Sequence, residues 1–99
     1  MDRGLVSELT EPADLLARAK AIALELTAET SAVSVALTRQ MFWRFAGVPD
    51  PFGLLAIDGA ISRQRGGHAD VRESDASLLE KRRPTFPGKV SKDMPSQYP

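Results

Sequence analysis

Apolar positions recur at helical spacing along most of this chain. Between Pro12 and Ala28 (PADLLARAKAIALELTA), Leu15, Ala19, Ile22, Ala23 and Leu26 fall on one face. Pro12 stands near the first turn and Asp14 near the positive end of the dipole, which predicts a helix. Val33, Leu37, Met41 and Phe45 then recur every fourth residue, with Trp43 on a neighbouring face. Thr30 or Ser31 is placed to cap this second helix and Gly47 to end it, giving Ser31 to Ala46. Leu54, Ile57 and Ile61 outline a third helix, Phe52 to Arg65, between the turn-forming GVPDP and the Gly66–Gly67 pair. A fourth, Asp70 to Arg82, carries Val71, Leu78 and Leu79, with Asp70 and Glu73 spaced as a capping-box pair and Pro84 forbidding continuation.

Two segments depart from this period. Gly4 to Leu9 (GLVSEL) reads as a short strand with no second strand in the sequence to pair with, an orphan whose sheet would lie elsewhere. From Pro84 onward there are four prolines in sixteen residues, which reads as an extended tail that is neither helix nor central strand. The expected fold class is therefore mainly α: three to four helices in an open arrangement, one orphan N-terminal strand and an extended Pro-rich tail. Residues 1–83 form a partial helical domain in this reading, and 84–99 the tail.

Ninety-nine residues suit one small domain or a piece of a larger one. Thirteen basic and thirteen acidic side chains cancel, so charge gives no reason to expect nucleic acid or an acidic membrane as partner. No apolar run approaches the roughly 20 residues of a membrane span. With no cysteine there is neither a disulfide nor a thiolate metal site, which fits a cytoplasmic setting. One local imbalance remains: Lys81, Arg82, Arg83, Lys89 and Lys92 form a basic stretch without an acid between them.

Candidate chemistry is sparse. His68 is the single histidine, beside Gly66–Gly67, so a His-rich metal site cannot be assembled, and the bland reading of His68 is a solvated loop residue. Asp70, Glu73 and Glu80 are explained by capping and surface charge, not by general acid/base work. The Gly66–His68 turn lacks both the P-loop lysine and the GxGxxG spacing. The basic stretch suits a ligand phosphate by charge-assisted bonds, but it equally offsets the negative end of the fourth helix. Met41, Phe42, Trp43 and Phe45 fit a core or a subunit interface better than a ligand pocket.

Three stretches, in order, resemble the C-terminal third of the enoyl-CoA hydratase/isomerase (crotonase) family: GLVSEL, ADLLARAKAIALELTAETSAVSVALTRQMFW and ADVRESDASLLEKRRPTFP. The family's final pattern, D-x-x-E-G-x-x-A-F-x-E-K-R-x-P-x-F, is met here by Asp70, Glu73, Glu80, Lys81, Arg82, Pro84 and Phe86. Ser74, Ser77 and Leu78 depart from its glycine, alanine and phenylalanine, and His68 stands where a capping serine is common. The resemblance implies an acyl-CoA thioester as ligand, with Leu78 near the acyl pocket and Lys81 near the CoA phosphates, and it implies no cofactor or metal. It also implies that the oxyanion donors and proton-transferring carboxylates of the family have no counterpart in these residues, leaving no catalytic residue to name.

The favoured expectation is a C-terminal fragment of an enoyl-CoA hydratase-like lyase of fatty acid metabolism, inactive by itself. The alternative is an oligomerisation or interaction module that joins itself or a full-length crotonase-family subunit. An independent acyl-CoA or phosphate binder without chemistry ranks third, because no convergent pocket can be argued from these helices.

Overall fold

The computed structural model describes residues 4–96 and is mainly α. Five helices follow in order: α1 (Leu15–Thr27), α2 (Ala32–Phe45), α3 (Pro51–Arg65), α4 (Ala69–Leu79) and the single-turn α5 (Val90–Asp93). Four of them match the sequence expectation to within a turn, and the local reasons can be named. Ser31 caps α2, its Oγ accepting from the Ser34 backbone N–H. Asp50 caps α3 by accepting from Phe52 N–H at 3.0 Å, with Pro51 at the first helical position where its missing N–H costs nothing. Residues 12–14 form turns before α1 begins, so Pro12 precedes the helix instead of entering it.

The C-terminus of α4 closes earlier than expected. Arg82 N–H donates to the Ser77 carbonyl at 3.0 Å and Lys81 N–H to the Leu78 carbonyl at 3.3 Å, the paired bonds of a Schellman closure. Lys81 takes the left-handed position, at φ 53°, that glycine normally fills. The turn thus ends the helix before Pro84 is reached.

Two expectations are corrected. Residues 4–9 form no strand: among the described residues there is no strand to supply a ladder, and the segment instead runs beside α1, where Arg18 Nε donates to both Glu8 carboxylate oxygens at 2.8 and 2.9 Å. The tail does contain a helix, because the prolines leave Gly88 to Met94 free of ring constraints. There α5 forms, and the Asp93 carboxylate accepts from Lys89 N–H at 2.7 Å, closing the turn.

The core is small. Val33, Leu37 and Ile61 are buried, with Met41, Ile57 and Met94 packed around them, so α2 is the central element, resting on α3 and α5. No residue of α1 is buried, and α1 and α2 diverge by 111° at their junction. Leu15, Leu16, Leu24 and Leu26 consequently face outward, as do Phe42 and Trp43 on α2. The radius of gyration is 16.8 Å, where a compact domain of this length has about 13 Å. Among the described residues no single helix is long and apolar enough to cross a membrane.

Candidate functional site

Two neighbourhoods hold the polar side chains of interest, and both are organised by α4. The first is its C-terminal end. Leu78 is 78% exposed, Leu79 is equally uncovered, and Lys81 follows in the left-handed turn. The two site residues expected by resemblance, Leu78 and Lys81, therefore lie three residues apart on one open surface, apolar beside cationic.

That turn is clamped. Arg82 donates through Nη1 and Nη2 to the two Glu73 oxygens at 2.6 and 2.9 Å, and through Nε to Glu80 at 2.6 Å. Glu73 also accepts from Thr85 N–H at 2.6 Å. The bond from Arg82, reinforced by that amide, holds the Glu73 carboxyl at about 2, and Glu73 in turn raises the Arg82 guanidinium further above its ordinary value. Arg83 reaches Glu29 at 3.2 Å. Of the basic stretch, Arg82 and Arg83 are thus engaged in ion pairs, while Lys81 makes none among the described residues.

The second neighbourhood is centred on Asp70, which is only 3% exposed. Its carboxylate accepts from Ser31 Oγ, from Gly88 N–H at 2.8 Å and from Arg65 Nη2 at 3.3 Å. Burial raises the carboxyl, but the bonds from Ser31 and Gly88 together with the charges of Arg65 and His68 outweigh it, and the net direction is downward. Arg65 continues through Nη1 to the Asp93 carbonyl at 3.0 Å. Beside this network lies a cleft of about 330 Å³ lined by Thr30, Ser34, Ser74, Asp75 and Phe86.

The capping box expected of Asp70 and Glu73 does not form. His68 occupies the N-cap position without a side-chain bond, Asp70 turns inward to the start of α2 and the tail, and Glu73 is taken by Arg82 and Thr85. His68 is half-buried, not solvated, and its Nδ1 has no partner among the described residues. Sequence spacing alone could not reveal the Ser31–Asp70 or Arg65–Asp93 bonds, which join positions 39 and 28 residues apart. The one legible hint was the short Gly–Gly link between α3 and α4, which brings Arg65 and Asp70 together.

Chemically, both carboxylates are held ionised by their donors and are poor proton carriers near neutral pH. Among the described residues no group of three or more His, Asp or Glu side chains could hold a metal ion. The exposed features near this turn are the apolar pair Leu78 and Leu79 and the Lys81 ammonium, which makes no ion pair among the described residues.

No protein-family model matches the chain. Over 84 residues, 84% of the chain, it is 38% identical to the enoyl-CoA hydratase ACTT3 of Alternaria alternata. The matched region spans 28% of that protein, so the chain corresponds to little more than a quarter of its relative's length. This similarity supports a crotonase-like relationship.

Proposed function

We propose that these residues form the C-terminal helical region of a crotonase-like acyl-CoA enzyme and do not catalyse alone. The observation that carries the reading is the 38% identity over 84% of the chain to an enoyl-CoA hydratase of which the match spans 28%. Leu78 then lies near the acyl chain of a thioester ligand and Lys81 near the phosphates of its CoA portion. The open surface holding both supports those roles, and the Glu73–Arg82 clamp fixes the turn that carries Lys81.

Proton transfer in such an enzyme belongs to carboxylates free to change state and to backbone donors aimed at a thioester oxygen. Neither Asp70 nor Glu73 meets the first requirement here. The purified chain is therefore expected to leave the absorbance of an enoyl-CoA thioester unchanged relative to buffer. Turnover that persists after contaminating host enzyme is excluded, and that scales with chain concentration, contradicts the proposal.

A second reading, an interaction module, is favoured by a separate observation. The chain exposes 8005 Å², where a compact monomer of its mass exposes about 5,500 Å². Large apolar side chains on α1 and α2 contribute to that exposure, among them Leu24, Leu26, Phe42 and Trp43. Surfaces of that kind mark contacts with a second copy or with a crotonase-family subunit. Both readings share one consequence: the helices are complete only when something covers them.

A further inference from the structure

The segment after Pro84 crosses α4, α3 and α2, and its polar attachments to them all run through side chains. Its backbone bonds to the helices run to side chains: Thr85 N–H to the Glu73 carboxylate at 2.6 Å and Gly88 N–H to the Asp70 carboxylate at 2.8 Å, while Arg65 reaches over to the Asp93 carbonyl at 3.0 Å. Two apolar studs finish the attachment. Met94 packs on the Val33, Leu37 and Ile61 cluster, and Pro95 is buried.

The fit at the centre of the segment is tight. A Cβ added to Gly88 would fall within the Asp70 carboxylate, 2.8 Å from Oδ1 and 2.9 Å from Cγ. Asp70 has little room to yield, since Ser31 and Arg65 hold the same carboxylate from α2 and α3. Only glycine allows the backbone to approach this closely. Phe86, between the two clasped amides, forms one wall of the cleft beside Asp70.

We propose that residues 84–96 are a strap, clasped by Glu73 and Asp70 and seated by Met94 and Pro95, that opens as a unit while α2, α3 and α4 stay folded. Opening withdraws Phe86 from the cleft and uncovers the Val33–Leu37–Ile61 seat, so the strap governs access to both. The physical basis is the contrast in attachment. The helices α2, α3 and α4 hold themselves by continuous internal backbone bonds, whereas the strap joins them only through side chains, the Glu73 and Asp70 carboxylates, the Arg65 guanidinium and the two studs Met94 and Pro95, and segments attached in this way open at lower free energy than the elements that carry them. The inference stands on hydrogen bonds and packing, and does not depend on the acyl-CoA reading.

Lys89 and Lys92 place two trypsin sites inside the strap, and Arg39 and Arg44 place two in α2. In the native chain, hydrogen exchange is expected to show the Thr85 and Gly88 amides protected, but less so than those of α2. Gly88→Ala is expected to speed tryptic cleavage at Lys89 and Lys92 about tenfold or more, because cleavage follows the open population. Cleavage at Arg39 and Arg44 and the helical circular dichroism should change far less. Glu73→Gln, which keeps the acceptor oxygen but loses the charge, should raise strap cleavage by a smaller factor. Equal protection of strap and α2 amides in the native chain overturns the proposal, as does a Gly88→Ala chain whose strap and α2 sites are cut at rates raised by the same factor or not at all.

Discussion

Lys81 shows how a single backbone angle can decide both local stability and presentation of a charge. At φ 53° it stands where a Cβ crowds the following carbonyl, a strain of roughly 1 kcal/mol that glycine escapes. Lys81→Gly is accordingly expected to raise the urea midpoint by the equivalent of about 0.5 to 1 kcal/mol while removing the unpaired ammonium. A fall in midpoint would mean that the lysine side chain makes a stabilising contact of its own. The neighbouring Glu73 gives a pH signature. Its carboxyl is lowered from the ordinary 4.5 to about 2 by Arg82 and the Thr85 amide, so its stabilising contribution is complete above pH 4.5 and disappears as pH falls to about 2. The difference in denaturation midpoint between the native chain and Glu73→Gln should therefore be constant from neutral pH to about 5 and close below it. A difference that instead grew on acidification would contradict the clamp.

Among the elements, α2 carries the fold and α1 hardly contributes to it. Leu37 lies in the buried cluster and Leu24 faces outward, so truncating them should have unequal effects. Leu37→Ala is expected to cost about 2 to 5 kcal/mol, a large share of the ~5 to 15 kcal/mol of a typical domain, and to abolish a cooperative urea transition seen by circular dichroism. Leu24→Ala, compared at a dilution where the chain is monomeric, should stay within about 0.5 kcal/mol. Equal costs would mean that α1 packs far more closely than its exposure implies. The helices were legible in the sequence because Leu15–Leu26, Val33–Phe45 and Leu54–Ile61 keep strict spacing, and because Ser31 and the Gly66–Gly67 pair punctuate them. The strand expected at 4–9 does not form because Leu5 and Val6 carry a propensity that needs a partner strand, and the described residues hold none. The helix at Val90–Asp93 is not legible in the sequence because the density of prolines around it outweighs the seven proline-free residues within. Asp70 was legible as a helix-start carboxylate but not as the junction of Ser31, Arg65 and Gly88, since its partners are set by how α2, α3 and the tail meet in space.

For the whole molecule, the governing fact is surface left uncovered. A radius of gyration of 16.8 Å and an exposed area of 8005 Å² exceed what a compact chain of this size displays, by about 4 Å and about 2,500 Å². At about 25 cal/mol per Å², even a few hundred Å² of that excess in apolar form amounts to several kcal/mol, comparable with the stability of a small domain. The balanced charge of the chain, thirteen positive against thirteen negative side chains, offers no net repulsion to oppose association. Trp43, 73% exposed on the open side of α2, is the natural reporter. The most direct measurement is size-exclusion chromatography with light scattering on the native chain, read beside Trp43 fluorescence. The account predicts a mass above one chain with Trp43 shielded in the assembly, or a single chain with a solvent-exposed, red-shifted Trp43 and a weakly cooperative urea transition. A strictly monomeric chain with a blue-shifted, buried Trp43 and one sharp transition would contradict it.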